Sequence, residues 1–511
     1  MATHAEKLAT SLGILKELVG DSKRAIFKST EFSRVHRERL VKAGFLIKMK
    51  KGWLLLADPA KKAGDSTLWY ANYWRFLSLF LEERFGKAYC LSAESSLILH
   101  TGVNTIPKQL TIITEKASGQ SVQLPFHSSL FLYQDAKNLP VERDIKEGLQ
   151  VMTLPEAICR VPKNYFEQYP EEAVVALTLI QDASQLLRYL LMRGQSTTAG
   201  YLIGAYRHMG REDIAQGILD SMVAAGHKIN IENPLVRPAI SISIRSQSPH
   251  AVRLQALWCR YRPHVVELFP KAPGLPQDAT SYLAAVEENY REDAYNSLSI
   301  EGYEVSPDLI DRVRSGLWDP SKESTDIQQK DTLAAKGYRL AFEAVCLSLI
   351  RVLQGQNPGL VVRQDLAHWY QMLFSPSVQA GLLQDYHLMG YRSNKVYIQN
   401  SRHIPFPQTA LLDSMDMFFE LLEKEENVAS RALLGHFFFV HIHPYSDGNG
   451  RIGRFLMNVM MASGGYPWTI IPVARRAEYM NALEQASCEN NIVDFILFIR
   501  SLGDFESKSE K

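Results

Sequence analysis

The run His443-Pro444-Tyr445-Ser446-Asp447-Gly448-Asn449-Gly450-Arg451-Ile452-Gly453-Arg454 obliges the chain to form a tight loop between two helices. Upstream, Val428, Ala432, Phe439 and Val440 fall at roughly helical intervals, and downstream Ile452, Phe455, Leu456 and Val459 recur at i, i+3, i+4 and i+7. Pro444 excludes continued helix at the start of the loop, while Gly448 and Gly450 permit positive φ and let bare N–H groups approach an anion. The pattern predicts a second helix beginning near Arg451, its first amides and dipole aimed at the loop. Arg451 and Arg454 then share a face turned away from Ile452, Phe455 and Leu456, so that two planar guanidinium forks can grip two phosphate groups. Asp447 offers the oxygen ligand that Mg²⁺ prefers, and His443 is the neutral-pH base of the cluster. These residues read as a nucleotide-phosphate site. A zinc reading of His436, His441 and His443 is set aside, because no cysteine lies nearby and His441 and His443 straddle a helix end.

At these residues the chain resembles the Fic family, whose motif is H-P-F/Y-x-D-G-N-G-R-x-x-R; every defined position is matched. The resemblance implies transfer of AMP from Mg·ATP to a Ser, Thr or Tyr hydroxyl of a target protein or of the chain itself. It implies that His443 deprotonates the hydroxyl and that Asp447 holds Mg²⁺ between the α- and β-phosphates. Gly448, Asn449 and Gly450 would line an anion hole, Arg451 would hold the α/β-phosphates, and Arg454 the γ-phosphate. In-line attack at phosphorus suits such a set, since it needs positioning and charge neutralisation more than covalent help.

Other segments extend the resemblance. Val396, Tyr397 and Ile398, a short β-prone run between polar turn residues, resemble the Fic flap, a hairpin whose open edge pairs with a target's extended segment; an ordinary surface hairpin is the alternative. Tyr479, near Arg475 and Arg476, resembles the adenine-side helix and would cover the base; a core-facing tyrosine reads equally well. Leu283, Val286, Tyr290, Ala294 and Leu298 keep one apolar helical face that stops at Gly302. Ser297-Leu298-Ser299-Ile300-Glu301-Gly302 is similar to the family's inhibitory signature, S/T-x-x-x-E-G/N. A glutamate at the negative end of a helix dipole calls for a cationic partner, and Arg454 is the natural one. Their pairing would take the guanidinium meant for the γ-phosphate.

At 511 residues the chain exceeds one core and predicts about three domains. A net charge of +1 makes no demand for nucleic acid or membrane by the whole molecule. Cys90, Cys159, Cys259, Cys346 and Cys488 are scattered and lack C-x-x-C spacing, which predicts reduced thiols and a cytoplasmic protein. No apolar run approaches the roughly 20 residues of a membrane helix.

Residues 1–60 predict helices followed by a hairpin turning at Lys51-Gly52. They resemble a winged helix-turn-helix, with Arg34, Arg37, Arg39 and Lys42 on the recognition helix and Lys48, Lys50 and Lys51 on the wing, where they can neutralise phosphates of duplex DNA; a protein-interaction module with a solvated charged face is the alternative. Residues 61–235 mix strands such as Leu110–Thr114 and Ser129–Tyr133 with a helical stretch from Glu171 to Leu191. Following a winged helix, the run from Leu91 to Gly102 resembles AbiEi-type antitoxin regulators. The Pro-rich run Phe269–Pro276 predicts a linker, which with a connecting helix makes up 236–278, and the Fic-like region covers 279–505.

The expected fold is therefore mainly α: a Fic helical bundle with a β-hairpin flap, preceded by a winged helix-turn-helix and an α+β regulatory region. The expected function is an autoinhibited protein adenylyltransferase. Alternatives are a DNA-binding regulator whose Fic core senses ATP or modifies itself, and an enzyme that removes AMP with Glu301 activating water. Homo-oligomerisation is left open.

Overall fold

Thr3 starts the first helix by a reciprocal cap: its hydroxyl accepts from the Glu6 N–H at 3.2 Å, and the Glu6 carboxylate accepts from the Thr3 N–H at 2.7 Å. The computed structural model describes residues 3–20, 24–60, 65–116, 119–235, 248–316, 326–503 and 505. They divide into two units, 1–241 with 397–404, and 242–396 with 405–511.

In the first unit, α1 (His4–Val19) and α2 (Arg34–Lys42) stand beside a three-stranded antiparallel sheet of β1 (Ile26–Lys28), β2 (Leu46–Lys50) and β3 (Trp53–Leu56), in the order β1-β3-β2. The expected hairpin is present, and Gly52 takes φ +88° at its turn, a conformation glycine adopts without cost. Leu15, Phe27, Phe32, Leu40, Leu46 and Leu54 form its small core.

After α3 (Thr67–Phe85) comes a second sheet of β4 (Tyr89–Leu91), β5 (Gln109–Thr114), β6 (Gln120–Gln123) and β7 (Ser129–Gln134), ordered β4-β5-β7-β6, with β5 and β7 parallel. The helix α4 (Ala93–His100) follows β4, and β8 (Arg143–Lys146) pairs with β9 (Leu149–Met152). Among the described residues of the unit there follow α5 (Leu154–Arg160), α6 (Lys163–Gln168), α7 (Pro170–Thr178), α8 (Ser184–Arg193), α9 (Ser196–His208) and α10 (Glu212–Ala224). The helical stretch expected from Glu171 to Leu191 is thus two helices. Asp182 breaks it, its carboxylate accepting from the Ser184 N–H at 2.8 Å and offering the backbone a local turn.

The segment expected to be a flap hairpin differs. Val396, Tyr397 and Ile398 form no strand, and Tyr397–Ile404 belongs to the first unit. There Thr105 and His403 make an antiparallel bridge, the Ile106 N–H donates to Arg402 O at 3.0 Å, and the Ile404 N–H donates to Asn104 O at 2.7 Å. The Tyr397 hydroxyl donates to Ala71 O at 3.3 Å, and Asn400 turns the chain at φ +58°. The Ile398 carbonyl accepts locally from the Ser401 N–H at 3.2 Å, and the long-range backbone bonds of the segment lie at Asn400, Arg402 and Ile404.

The second unit is helical: α11 (Pro249–Leu268), α12 (Ala279–Ile300), α13 (Pro307–Arg314), α14 (Asp326–Leu353), α15 (Pro358–Gln379), α16 (Gln408–Lys424), α17 (Val428–Ile442), α18 (Asn449–Ala462), α19 (Arg476–Cys488) and α20 (Val493–Arg500). One continuous core joins them, with Tyr261 of α11, Tyr290 of α12, Trp369 of α15 and Phe438 of α17 fully buried. The Pro-rich run Phe269–Pro276 does not behave as a linker between domains. Phe269 is buried in that core and the Gly274 N–H donates to Gly464 O at 2.9 Å, so α11, expected outside the bundle, packs within it.

Candidate nucleotide site

α17 ends at His443, whose φ of +56° and ψ of +60° place it in the left-handed region and turn the chain into the motif loop. A non-glycine residue held there is strained, and the surroundings enforce it. Arg392 does so: its N–H donates to Pro444 O at 2.9 Å, Nε to His443 O at 2.8 Å, Nη1 to Asn394 O at 2.9 Å and Nη2 to Phe406 O at 2.5 Å. This buried arginine is absent from the sequence reading, since nothing around position 392 sets one arginine apart from any other. Tyr445 stacks on Tyr370 with centroids 3.7 Å apart and planes 6° from parallel, which pins the loop's other side.

The imidazole Nδ1 of His443 lies 3.2 Å from Val440 O. A carbonyl only accepts, so Nδ1 carries the proton and Nε2 keeps its lone pair. Burial drives the imidazole pKa down, to about 4, and the charge of Arg392 acts the same way. His443 is therefore neutral at physiological pH, the state a general base needs.

α18 begins at Asn449, two residues before the expected start, with Gly448 as N-cap at φ +82°. A Cβ on Gly448 would lie 2.9 Å from Phe374, so both conformation and space require glycine. Its first helical hydrogen bond runs from the Ile452 N–H to Gly448 O at 3.0 Å. The amides of Asn449, Gly450 and Arg451 therefore have no intrahelical acceptor and face the loop, a ready anion site. Gly450 does not take positive φ as expected. It sits inside the helix, and what it supplies is room: a Cβ there would fall 2.2 Å from Glu301 Oε1. The Asn449 side chain does not line the anion site either, for it is fastened to Tyr445, accepting from its N–H at 2.9 Å and donating to its carbonyl at 2.8 Å.

Arg451 and Arg454 are 1% and 3% exposed. Arg451 Nη2 donates to Asp447 Oδ2 at 3.2 Å, and the Asp447 carboxylate also accepts from the Gly448 N–H at 2.6 Å. Arg454 is held by α12: Nε donates to Ser297 Oγ at 2.8 Å, and Nη2 to Ser297 O at 3.0 Å and to Glu301 Oε1 at 2.8 Å. Its Nη1 is buried with no hydrogen-bond partner among the described residues. Burial pushes the Glu301 carboxyl up, but the charges of Arg454 and Arg451 outweigh it and hold the group below the usual range. Conversely, Glu301 holds Arg454 above its ordinary value against the cost of burial. The pair expected between Glu301 and Arg454 is present, Ser297 adds two acceptors to it, and Gly302 ends the helix at φ +87°.

Tyr479 does not lie where a base could stack on it. It is 1% exposed, its hydroxyl is 2.7 Å from His436 Nε2, and its ring stacks on Phe498. The sequence cannot separate the two faces of α19, and packing assigned this side chain inward. His436, His441 and His443 each face a different partner, Tyr479, Ser487 and Val440, and do not converge.

In the first unit, the cationic side chains expected on a recognition helix are largely engaged locally. Arg34 pairs with Glu38 at 2.8 Å, Arg37 donates to Ser29 O at 3.1 Å, and Arg39 donates to Lys7 O at 2.7 Å and Ser11 Oγ at 2.9 Å. Lys42, Lys48 and Lys51 are exposed, whereas Lys50 is half-buried and donates to Gln123 O at 3.4 Å. A hollow of about 390 Å³ elsewhere in the unit is lined by Ser92, Arg160, Arg193 and Gln195 among others, and no histidine lines it. Among the described residues no helix is long and apolar enough to cross a membrane.

Residues 361–461 match the model of the Fic/DOC family. The chain is similar to the protein adenylyltransferase Fic of Drosophila mojavensis, 39% identical over 113 residues, which cover 21% of this chain and 22% of that one. It is also similar to the protein of the same name from Drosophila virilis, 29% identical over 222 residues, covering 42% and 41%. The matched stretch thus spans well under half the length of these relatives. Among solved structures, Fic-1 (aa134–508) from C. elegans aligns with a TM-score of 0.36 at 18% identity, covering 68% of this chain and 93% of that one. With α17 ending at the histidine and α18 opening on the glycine-flanked asparagine, residues 361–461 of this chain form a Fic/DOC domain.

Proposed function

We propose that the chain is a protein adenylyltransferase that moves AMP from ATP to a Ser, Thr or Tyr hydroxyl of a target protein or of itself, and that α12 restrains it. The observation that carries this reading is the convergence of a neutral imidazole, the open amides of α18 and two buried guanidiniums on one loop. The names of the similar Drosophila proteins support it. In the reaction, His443 Nε2 takes the target hydroxyl's proton as the oxygen bonds to the α-phosphorus. The bond from that phosphorus to the bridging oxygen breaks, and pyrophosphate leaves with the electron pair. The α18 amides and Arg451 hold the phosphates, and Arg454 binds the terminal phosphate once Glu301 releases it.

The donor set fits Mg²⁺. Asp447 is an exposed carboxylate at the loop, and Mg²⁺ is commonly held by one or two carboxylates together with substrate phosphates. The ion would neutralise phosphate charge beside it. The direct test is label transfer: ATP radiolabelled at the α-phosphate is incubated with the full chain and source-cell lysate, with and without Glu301→Gly. Covalent label on protein supports the reading, and its absence from both overturns it.

A second reading rests on the β2–β3 hairpin. Lys48 and Lys51 are exposed there and, with Arg37 and Lys50, line a hollow of about 320 Å³. This supports contact between residues 1–60 and duplex DNA phosphates, in the manner of a regulator that joins DNA binding to nucleotide transfer.

A further inference from the structure

Arg451 is nearly sealed from solvent, yet its guanidinium has few directed bonds. Its Nε has no hydrogen-bond partner among the described residues, its Nη2 donates to the exposed carboxylate of Asp447 at 3.2 Å, and the Tyr303 hydroxyl also accepts from the guanidinium. Two aromatic faces stand close to it: the guanidinium carbon lies 5.1 Å from the ring centroid of Tyr303 and 5.1 Å from that of Phe374. Both distances fall within the range of attraction between a cation and an aromatic face, which is strongest where water is excluded.

Tyr303 reaches this place through the end of α12. The Gly302 N–H donates to Ser299 O at 3.1 Å and the Tyr303 N–H to Leu298 O at 3.2 Å, the two bonds that close a helix through a left-handed glycine. This closure fixes Glu301 and Tyr303 on either side of Gly302, one against Arg454 and the other against Arg451. The Tyr303 ring also draws Lys330 Nζ to 5.6 Å, as an electron-rich face should.

We propose that Tyr303 is a positioning residue for the nucleotide: its ring, with that of Phe374, holds the Arg451 guanidinium while leaving N–H donors uncommitted for a phosphate. The proposal rests on the nucleotide-transfer reading and adds a second role for the end of α12. Glu301 withholds one phosphate grip, and Tyr303 prepares the other. A face that holds the cation before and during reaction acts on ground-state binding, so it should appear in KM and not in kcat.

The test measures Mg·ATP binding to the full chain by calorimetry, in the parent and the Glu301→Gly background, for Tyr303→Phe and Tyr303→Leu. Phenylalanine keeps the face, and leucine keeps apolar bulk without it. The leucine variant should bind ATP about tenfold more weakly and the phenylalanine variant within about twofold of its parent. In the Glu301→Gly background, the leucine variant's KM for ATP should rise by the same factor while kcat stays within about twofold. Thermal melts without nucleotide check the fold; if the leucine variant melts well below its parent, Tyr303→Met takes its place in the same comparison. Equal binding by leucine and parent, or equal losses in leucine and phenylalanine, overturns the role of the ring, as does tighter binding by leucine. Failure of the parent chains to bind ATP overturns the transfer reading and this proposal together. ATP binding with the expected pattern but no protein labelling overturns only the transfer reading.

Discussion

Glu301, which caps the C-terminus of α12, places a carboxylate oxygen 2.8 Å from Nη2 of Arg454, across a sequence separation of 153 residues. Arg454 is buried, whereas the Glu301 side chain is about a quarter exposed, and the same arginine also donates to the hydroxyl and carbonyl of Ser297. Breaking such a pair from one side usually costs about 3–5 kcal/mol, because a charge is left buried without its partner. In this molecule the loss of stability and the gain of function should run in opposite directions.

Glu301→Gly is expected to lower the melting temperature of the nucleotide-free chain and to raise AMP labelling by about tenfold or more, since Arg454 becomes free for the terminal phosphate. Adding Arg454→Ala should abolish the gain, because both changes act through one guanidinium. Labelling that falls in the single variant, or rises equally without Arg454, would show that the pair is only structural.

His443→Ala should reduce transfer by about 10²-fold or more and leave ATP binding nearly unchanged, as its work lies in the transition state. With its pKa lowered by burial, the base is active at any pH above its own titration. The acid limb of kcat/KM should therefore fall below the ordinary histidine value of about 6.5. Glu301 favours the protonated imidazole, so Glu301→Gly should move the limb lower still. A limb at or above about 6.5 in either protein would count against His443 as the base.

Gly450→Ala should destabilise the chain by about 1–3 kcal/mol, because the new methyl group would meet Glu301 Oε1 at 2.2 Å. In the Glu301→Gly background that penalty should largely disappear. Thermal denaturation of the four proteins gives the coupling directly, and additive losses would mean that the methyl group clashes elsewhere.

For the hairpin, changing Lys48, Lys50 and Lys51 together to alanine should weaken duplex binding. It should also flatten the dependence of log affinity on log salt by roughly two units, since Lys50 is already turned toward Gln123. An unchanged slope in a fluorescence anisotropy titration would exclude these lysines as phosphate contacts.

The sequence by itself determined the helix-loop-helix around His443 and Arg454, the stop of α12 at Gly302 and the turn of the hairpin at Gly52, because each depends on short-range rules. Apolar periodicity, a proline at the loop's start and glycines at positive φ act over a few residues and leave their mark in order along the chain. Tertiary structure decided what lay on which face and what came from afar. Tyr479 turned into the core against His436, Gly450 proved to matter for the space it leaves Glu301, and Arg402 to Ile404 paired with Asn104 to Ile106, residues distant in sequence. Arg392 and Tyr303 carry no local signal at all. Their parts arise from the carbonyls of His443 and Phe406 and from the Arg451 guanidinium, and such contacts, set by packing among residues from separate stretches of the chain, are not written in any one of them.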